Sequence, residues 1–570
     1  MPDRFLRFLR QAPTGLRAFW LACALLPAAA WSAAPGPAAP GQGAVASAHP
    51  LATAAGMEIL AAGGNAFDAA VAVSAALGVV EPFSSGLGGG GFWLLHFAAD
   101  GRQVLVDGRE TAPGAAHENM YLDDHGEPVP GLSLNGPLAA GIPGTPAALV
   151  HVSERYGHLP LGDALAPAIR HAREGFPVYD RMRLGLNFKA AELRRWPGAE
   201  ALLPGGEVPP VGARVRLPGL ARVMERLAQD GAAGFYAGEI AARMVDAVQA
   251  HGGIWTLADL AGYRVIERAP LVAEFAGGTR FVLAPPPSAG GVAMIQALNL
   301  LQGFELDGLA GADRAHLVIE ALRRAFRDRG HLGDPDFVAM PLERLLHPAY
   351  AAGQATSIRM DRATPSEVFA PLYAEDGGEH TTHFSVIDAD GNRVAVSQTL
   401  NGWFGSSFVV PGLDLLLNNE MDDFAVKPGA SNLYQLVGSG ANNIAPGKRM
   451  LSSMTPTFIE SPRGVAVLGT PGGSRIISMV LLAALAWMEG ADAETMVALP
   501  RYHHQYLPDR VIHEAEAFTP AEAAALEARG HVLQESRRLY GNMNVVTWDY
   551  DAGRVEAATD PRGAIKGWAY

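Results

Sequence analysis

The stretch 377-GGEHTTHFSVIDADGNRVAVSQTLN-401 sets two alternating apolar runs, 383-HFSVID-388 and 393-RVAVSQTL-400, on either side of Asp390-Gly391. Alternation predicts two half-buried strands, and Asp-Gly between them predicts a hairpin turn. With residues 389–391 as the loop, Thr381 falls opposite Thr399, side chains on one face and Cβ atoms about 5 Å apart. A slip of one residue breaks this pairing. Thr381 thus opens a hairpin in mid-chain, directly after a segment, 354–380, that carries Gly, Pro and Ser but few periodic apolar residues.

Threonine is common in strands for its β-branched shape alone. As a nucleophile it needs a base, and one solution is the α-amine of the same residue, exposed once the chain is cut before it. Such an amine titrates near about 7.7–8, suited to proton transfer near neutrality. On that reading the chain is a precursor. Thr381 attacks the carbonyl of His380, the acyl group shifts from nitrogen to oxygen, and hydrolysis frees the new N-terminus.

The 570 residues are 49% hydrophobic and 18% charged, with a formal net charge of −14. The length allows a large layered core or several domains. The acidic balance and the absence of a Lys/Arg-rich stripe argue against a nucleic-acid partner. At the start, Arg4, Arg7, Arg10 and Arg17 lead into 18-AFWLACALLPAAAW-31 and the small residues Ser32, Ala33 and Ala34, the pattern of an export signal over about 1–33. The run is short for a membrane span and contains Pro27, so no stable span is expected in the mature protein. The single cysteine, Cys23, lies inside it, leaving a mature chain with no disulfide, thiol nucleophile or cysteine-ligated zinc. A Pro/Ala/Gly linker follows over 34–47, with order expected from about Ala48.

Residues 50–82 carry helical apolar spacing broken at Gly63-Gly64-Asn65, which predicts a helix, a stop and a cap for a second helix. The run 86-GLGGGG-91 satisfies G-x-G-x-x-G, but a helix precedes it and the strands 92-FWLLHF-97 and 103-QVLVDGRE-110 follow, the wrong context for a dinucleotide site. Close backbone approach is the better reading of those glycines. Residues 312–330 read as an amphipathic helix with its charges on the outer face, and 476–489 as a buried helix. The histidines of His380-Thr381-Thr382-His383 and His503-His504 lack the spacing of a metal motif, so no metal and no cofactor is expected. Helices concentrated in one part and antiparallel hairpins in both predict an α+β layered sandwich.

The segments 381-TTHFSV-386, 418-NNEMDDF-424, 451-LSSMTPT-457, 469-GTPGGSR-475 and 501-RYHHQ-505 closely resemble the gamma-glutamyltransferases (gamma-glutamyltranspeptidases), members of the N-terminal-nucleophile hydrolases. Upstream, 81-EPFSSGLGGGGF-92, 107-DGRETAP-113 and 141-GIPGT-145 resemble the same family in the same order. The resemblance implies a four-layer αββα sandwich formed jointly by a large subunit, 48–380, and a small subunit, 381–570, that remain together as a heterodimer. It implies γ-glutamyl transfer from glutathione or related compounds, through an ester on Thr381, to water or to an amino-acid or peptide acceptor, in a periplasmic or secreted enzyme.

Residue by residue, the resemblance implies that Thr399 supports the nucleophile Thr381, that Gly472 and Gly473 form the oxyanion hole, and that Arg109 with Ser452 and Ser453 holds the substrate α-carboxylate. Asn401, Glu420 and Asp423 are implied as acceptors for its α-ammonium. A planar guanidinium suits a carboxylate, and backbone N–H groups suit a developing oxyanion. The segment 428–439 resembles the lid loop of lid-bearing members, with Tyr434 as the covering aromatic, while Gly402-Trp403 departs from the usual pattern. Some family members carry glutamine where Glu420 stands. Two other readings remain: a glutaryl or cephalosporin-type acylase of the same superfamily, and an exported binder of γ-glutamyl or amino-acid ligands that lacks catalysis.

Overall fold

The structure is a computed structural model describing residues 39–309, 311–369, 381–427, 432–436 and 439–563, and the elements below lie in one compact unit, Pro40–Tyr570. Its hairpin forms as the sequence predicts. Thr382–Ile387 and Arg393–Thr399 pair antiparallel, Arg393 opposite Ile387 and Gln398 opposite Thr382, a register whose next pair outwards is Thr381 and Thr399. Asp388 holds the turn, its Oδ1 accepting from Asp390 N (3.1 Å) and Asn392 N (2.9 Å). Gly391 takes φ +94°, where a Cβ is penalised. The other oxygen of Asp388 accepts from Ala66 N (2.9 Å), tying the turn to a helix far upstream.

Two six-stranded antiparallel sheets are built around this hairpin. The first runs, in spatial order, Ala44–Ser47 (β1), Thr382–Ile387 (β7), Arg393–Thr399 (β8), Gly90–His96 (β2), Gln103–Gly108 (β3) and Ile266–Arg268 (β4). The second runs Arg554–Thr559 (β12), Asn544–Asp549 (β11), Gly464–Gly469 (β10), Thr457–Ser461 (β9), Thr279–Leu283 (β6) and Leu271–Phe275 (β5). Each sheet therefore mixes strands from before and after Thr381.

Alternate hairpin residues enter different cores. Phe384, Val386, Val394 and Val396 pack beneath helices Pro50–Ala61 (α1) and Ala66–Val80 (α2), whereas Ile387 and Ala395 face the second sheet. The far face of the second sheet is covered by Gly290–Leu301 (α4) and Ile476–Met488 (α6), with Gly311–Asp328 (α5) packed on α4; Thr145–Tyr156 (α3) lies on the first sheet beside α2. The result is the αββα layering of an α+β sandwich. Helix α2 is buried along its whole length and begins as expected at Asn65, whose Oδ1 accepts from Phe67 N (2.9 Å) and Asp68 N (3.1 Å) while Asp68 returns a bond to Asn65 N. The glycine run earns its composition: a Cβ on Gly88 would stand 1.8 Å from Leu416 O, and one on Gly89 2.0 Å from Thr399 O.

Two expectations need correction. Ala44–Ser47 is not linker but the buried edge strand β1, paired with β7; four small residues after a Pro/Gly-rich stretch are too short to register as a strand by periodicity. Helix α5 does not keep its charges outside. Glu320, Arg323, Arg324 and Asp328 are all buried, Glu320 accepting from Arg324 Nη1 (2.6 Å) and Arg323 Nε (3.2 Å). Mutual pairing makes burial tolerable there. The export signal and the His380 side of the proposed cut lie outside the described residues. Among the described residues no helix is long and apolar enough to cross a membrane.

His383 sits between the sheets. Ser385 Oγ donates to Asn544 O (3.1 Å), so His383 must donate from Nε2 to Ser385 (3.1 Å) and accept at Nδ1 from Ser397 Oγ (2.9 Å). Burial pushes this imidazole down from 6.5 to about 3. The unfolded chain therefore takes up a proton below pH 6.5 that the folded one refuses, and stability falls by about 1.4 kcal/mol per pH unit between those values. Denaturant titrations at pH 7, 6 and 5 should show the wild type losing stability faster than His383→Gln by about 1 kcal/mol per unit; parallel curves would rule this out.

Candidate active site

At the mouth of the hairpin a pocket is lined by Thr381, Thr399, Asn401, Arg109, Glu420, Asp423, Tyr434, Ser452, Ser453 and Gly473, which are all the expected catalytic and substrate-binding residues except Gly472. Gly472 borders Gly473 in the turn that leads from β10 to α6. Thr382 Oγ1 donates to Glu81 Oε2 (3.0 Å) on the helix side of the sheet, so Thr381 and Thr399, of opposite parity, face the space between the sheets. Thr399 Oγ1 accepts from Asn401 N (2.8 Å). Asn401 is held at φ +71° and donates from Nδ2 to Asn419 O (2.9 Å).

Arg109 follows β3 directly and is wholly buried. Its Nε donates to Met450 O (3.2 Å), one terminal nitrogen pairs with Glu420, and the other donates to Asp423 Oδ2 at 2.6 Å. Glu110 adds a third carboxylate, 3.7 Å from Arg109 and without a hydrogen-bond partner on either oxygen. Burial favours the neutral form of Arg109, but the carboxylates of Glu420, Asp423 and Glu110 outweigh it and hold the cation. Burial drives all three acids upward, Glu110 to about 8.

The unsatisfied atoms of the pocket are equally telling. Asn401 Oδ1, Glu420 Oε2 and Ser453 Oγ are buried without hydrogen-bond partners. Such atoms cost about 1–3 kcal/mol each unless a ligand completes them. Two are acceptors beside a negative cluster, fitting an ammonium, and one is a hydroxyl donor near Arg109, fitting a carboxylate.

Gly472 (φ +146°) and Gly473 (φ +57°) occupy conformations that side chains rarely adopt. A Cβ on Gly473 would lie 2.2 Å from Tyr434 Cδ1, so the Tyr434 ring covers this turn. Tyr434 OH donates to Asn401 O (2.8 Å), closing the ring over the pocket.

Several supporting residues escaped single-residue reasoning. Asn418 Oδ1 accepts from Gly141 N and Glu420 N (2.9 Å each), fixing Glu420 against the 141–145 turn. Gln505 accepts from Ser474 Oγ (2.6 Å) and donates to Tyr434 O (3.1 Å), bracing the covering aromatic against the glycine turn. Asp422 accepts from Ser133 Oγ (2.7 Å) and Leu433 N (2.8 Å), and burial pushes it up to about 7. Asn418, Asp422 and Gln505 lie within the quoted motifs, which was the only signal for them. Arg329, Leu436, Met454 and Ile476 also line the pocket; Met454 lies in the quoted 451–457 motif and Leu436 in the lid-like segment, while Arg329 and Ile476 had no signal.

A sequence model described as Gamma-glutamyltranspeptidase matches residues 52–570. The glutathione hydrolase proenzyme of Pseudomonas sp. (strain A14) is 41% identical over 517 residues, covering 90% of this chain and 89% of that one. That of Escherichia coli (strain K12) is 39% identical over 574 residues, covering 96% and 98%. Among solved structures, cephalosporin acylase from Bacillus halodurans superposes with a TM-score of 0.80 at 29% identity, covering 93% of this chain and 96% of that one. The sandwich is thus that of the N-terminal-nucleophile hydrolases, and the chain belongs to the gamma-glutamyltranspeptidase family.

Proposed function

We propose that the protein is a γ-glutamyltransferase and glutathione hydrolase, exported and activated by cutting itself between His380 and Thr381. The observation that carries this reading is the set of polar groups lining the pocket beside Thr381: a guanidinium and a serine hydroxyl suited to a carboxylate, with an amide oxygen and two carboxylates suited to an ammonium. A γ-glutamyl group ends in an α-carboxylate and an α-ammonium. A glutaryl group has no ammonium and would leave Asn401 Oδ1 and Glu420 Oε2 buried and unpaired. The proenzyme names of the relatives agree with a precursor that is cut; on this reading the pieces are a large subunit that includes β1 and runs to residue 380, and a small subunit 381–570, held together as a heterodimer.

In the proposed reaction the free amine of Thr381 takes the proton of its own hydroxyl as Oγ1 attacks the γ-carbonyl carbon. Thr399 holds the hydroxyl in place. The oxyanion forms against the backbone N–H groups of Gly472 and Gly473, and the amide C–N bond breaks as the ammonium of Thr381 returns the proton to the leaving amine. Water or an acceptor amine then attacks the ester and restores Thr381. Arg109 moves from its ion pairs to the α-carboxylate as the substrate ammonium takes Glu420 and Asp423, so the buried charges are re-paired rather than stranded.

N-terminal sequencing and intact mass of the purified protein should reveal a second chain beginning Thr-Thr-His-Phe, with Thr381→Ala uncut. An uncut wild type would remove the base and leave the binding-protein reading. On the processed enzyme, kcat/KM for a γ-glutamyl anilide should exceed that for its glutaryl counterpart by about 10⁴-fold, because the site's polar groups go unpaired with the latter. Equal rates would make it an acylase. Gly473→Ala should lower kcat by about 10²–10³-fold, the loss of one oxyanion donor, as strain and the Tyr434 contact displace the turn; unaltered kcat would take the oxyanion away from this glycine.

A further inference from the structure

Residues 81–85, the turn that ends α2, meet both strands of the hairpin from the helix side of the sheet. Glu81 is fixed within the turn: its N–H donates to Leu77 O (2.8 Å), and its carbonyl accepts from Ser84 N (2.9 Å) and Ser85 N (3.3 Å). Its carboxylate accepts from the hydroxyl of Thr382 (3.0 Å), the residue after Thr381. Ser84 O accepts from Leu400 N (3.2 Å) and Ser85 Oγ from Gln398 Nε2 (3.1 Å), the two neighbours of Thr399. Phe83 O accepts from Phe404 N (3.0 Å), and the Phe83 ring stacks on Trp403 with centroids 5.1 Å apart. One short turn thus grips the chain on each side of Thr399 and directly after Thr381.

Glu81 is more than a cap for α2. The β1–β7 ladder ends at Ser47 and Phe384, so His383 and Thr382 are laddered on one side only, to Ser397 and Gln398 of β8. A chain end held on one side frays, and in the cut chain Thr381 is that end. Glu81 is 3% exposed. Among the described residues Thr382 is the only hydrogen-bond partner of its side chain, and it makes no ion pair within 4 Å. Burial pushes this carboxyl upward, opposed by Arg181 and by the Thr382 bond. A buried acid with no cation in contact lowers stability, which an amide or apolar side chain there would not do. That sacrifice is made at the bond that ties down the start of β7.

We propose that the 81–85 turn is a clamp on the two threonines. Glu81 is the positioning residue that holds Thr381 through Thr382, while Ser84 and Ser85 hold Thr399 through Leu400 and Gln398. The inference rests on the γ-glutamyl reading, in which Thr381 is the nucleophile. Because the clamp acts from the face of the sheet opposite the pocket, it touches no substrate. It fixes where the Thr381 hydroxyl stands relative to Thr399, the alignment on which attack depends.

The test follows maturation by intact mass, turnover of a γ-glutamyl anilide, and denaturant midpoints. Glu81→Ala should slow the cut and lower kcat by about 10²-fold, the effect of a misplacement of about 1 Å, with KM within about twofold because the groups facing the substrate's charged end are untouched. Thr382→Val should match it, and the double variant should lose no more than either alone, as for two residues acting through one bond. Glu81→Gln keeps an acceptor for the hydroxyl and should return kcat to within about threefold of wild type. Ser85→Ala should lower kcat about threefold with KM unchanged, and it carries the test with Glu81→Gln if Glu81→Ala stays uncut. A lowered denaturant midpoint with unaltered kcat would make the turn a mere cap of α2 and overturn the clamp. Additive losses in the double variant would overturn the link through Thr382. Wild type that is uncut, or that leaves the γ-glutamyl anilide intact, would instead overturn the γ-glutamyl reading.

Discussion

The register of the β7–β8 hairpin is the constraint on which the rest of the molecule depends. Side chains alternate along a strand, so sliding one strand by a single residue would exchange the helix-facing and sheet-facing sets. It would drive Phe384 and Val386 toward the second sheet and His383 into the apolar layer beneath α2. Thr381 and Thr399 would part at the same time. Asp388 blocks the slip by capping the turn and anchoring it to Ala66, and the His383–Ser397 pair works only in the observed register. Hairpin geometry and the placing of two hydroxyls at one pocket are thus a single event.

Around that fixed point the pocket concentrates charge in a way a structural core avoids. Arg109 faces three carboxylates in full burial, and ion clusters of this kind contribute little net stability because desolvation offsets attraction. Their geometry is kept by neighbours that are not themselves charged. Asn418 binds Glu420 to the 141–145 turn, and Asn401, Asn419 and Gly402 interlock through backbone and amide bonds. Burial pushes the acids toward their neutral forms while Arg109 opposes that shift, so the ionised state of Glu420 and Asp423 depends on a cation beside them.

The sequence made some of this legible and hid the rest for physical reasons. Asp390-Gly391 announced the turn, and the two runs beside it announced the pairing, because both signals are local. The glycine run 86–91 read correctly as close approach since its context forbade a helix. Strand β1 was invisible: Ala44–Ser47 is four residues long and acquires its identity only by pairing with β7. Helix α5 misled because burial of Glu320, Arg323 and Arg324 depends on partners at Thr364, Ser366 and Asp509, far along the chain. Arg329 looked like one more charge of that helix. Thr381 and Thr399 could be paired from the turn, but the charged residues of the candidate site were recognisable only as members of motifs, since no single arginine or aspartate differs in sequence from a solvated one.

The distribution of strands explains how a chain can be opened at Thr381 without losing its active site. In the first sheet β7 and β8 lie between β1 and β2, so material from before the cut flanks the hairpin on both sides. In the second, β6 and β5 continue the sheet past β9 along one edge, so the two parts of the chain meet at the β9–β6 ladder. A cut before Thr381 falls outside β7, which begins at Thr382, and interrupts no strand ladder. The pocket likewise draws Arg109 and Arg329 from one side of the cut and Thr381, Glu420 and Asp423 from the other. Strand ladders between the parts of the chain before and after Thr381 would therefore outlast the proposed cut, which would free an amine on Thr381.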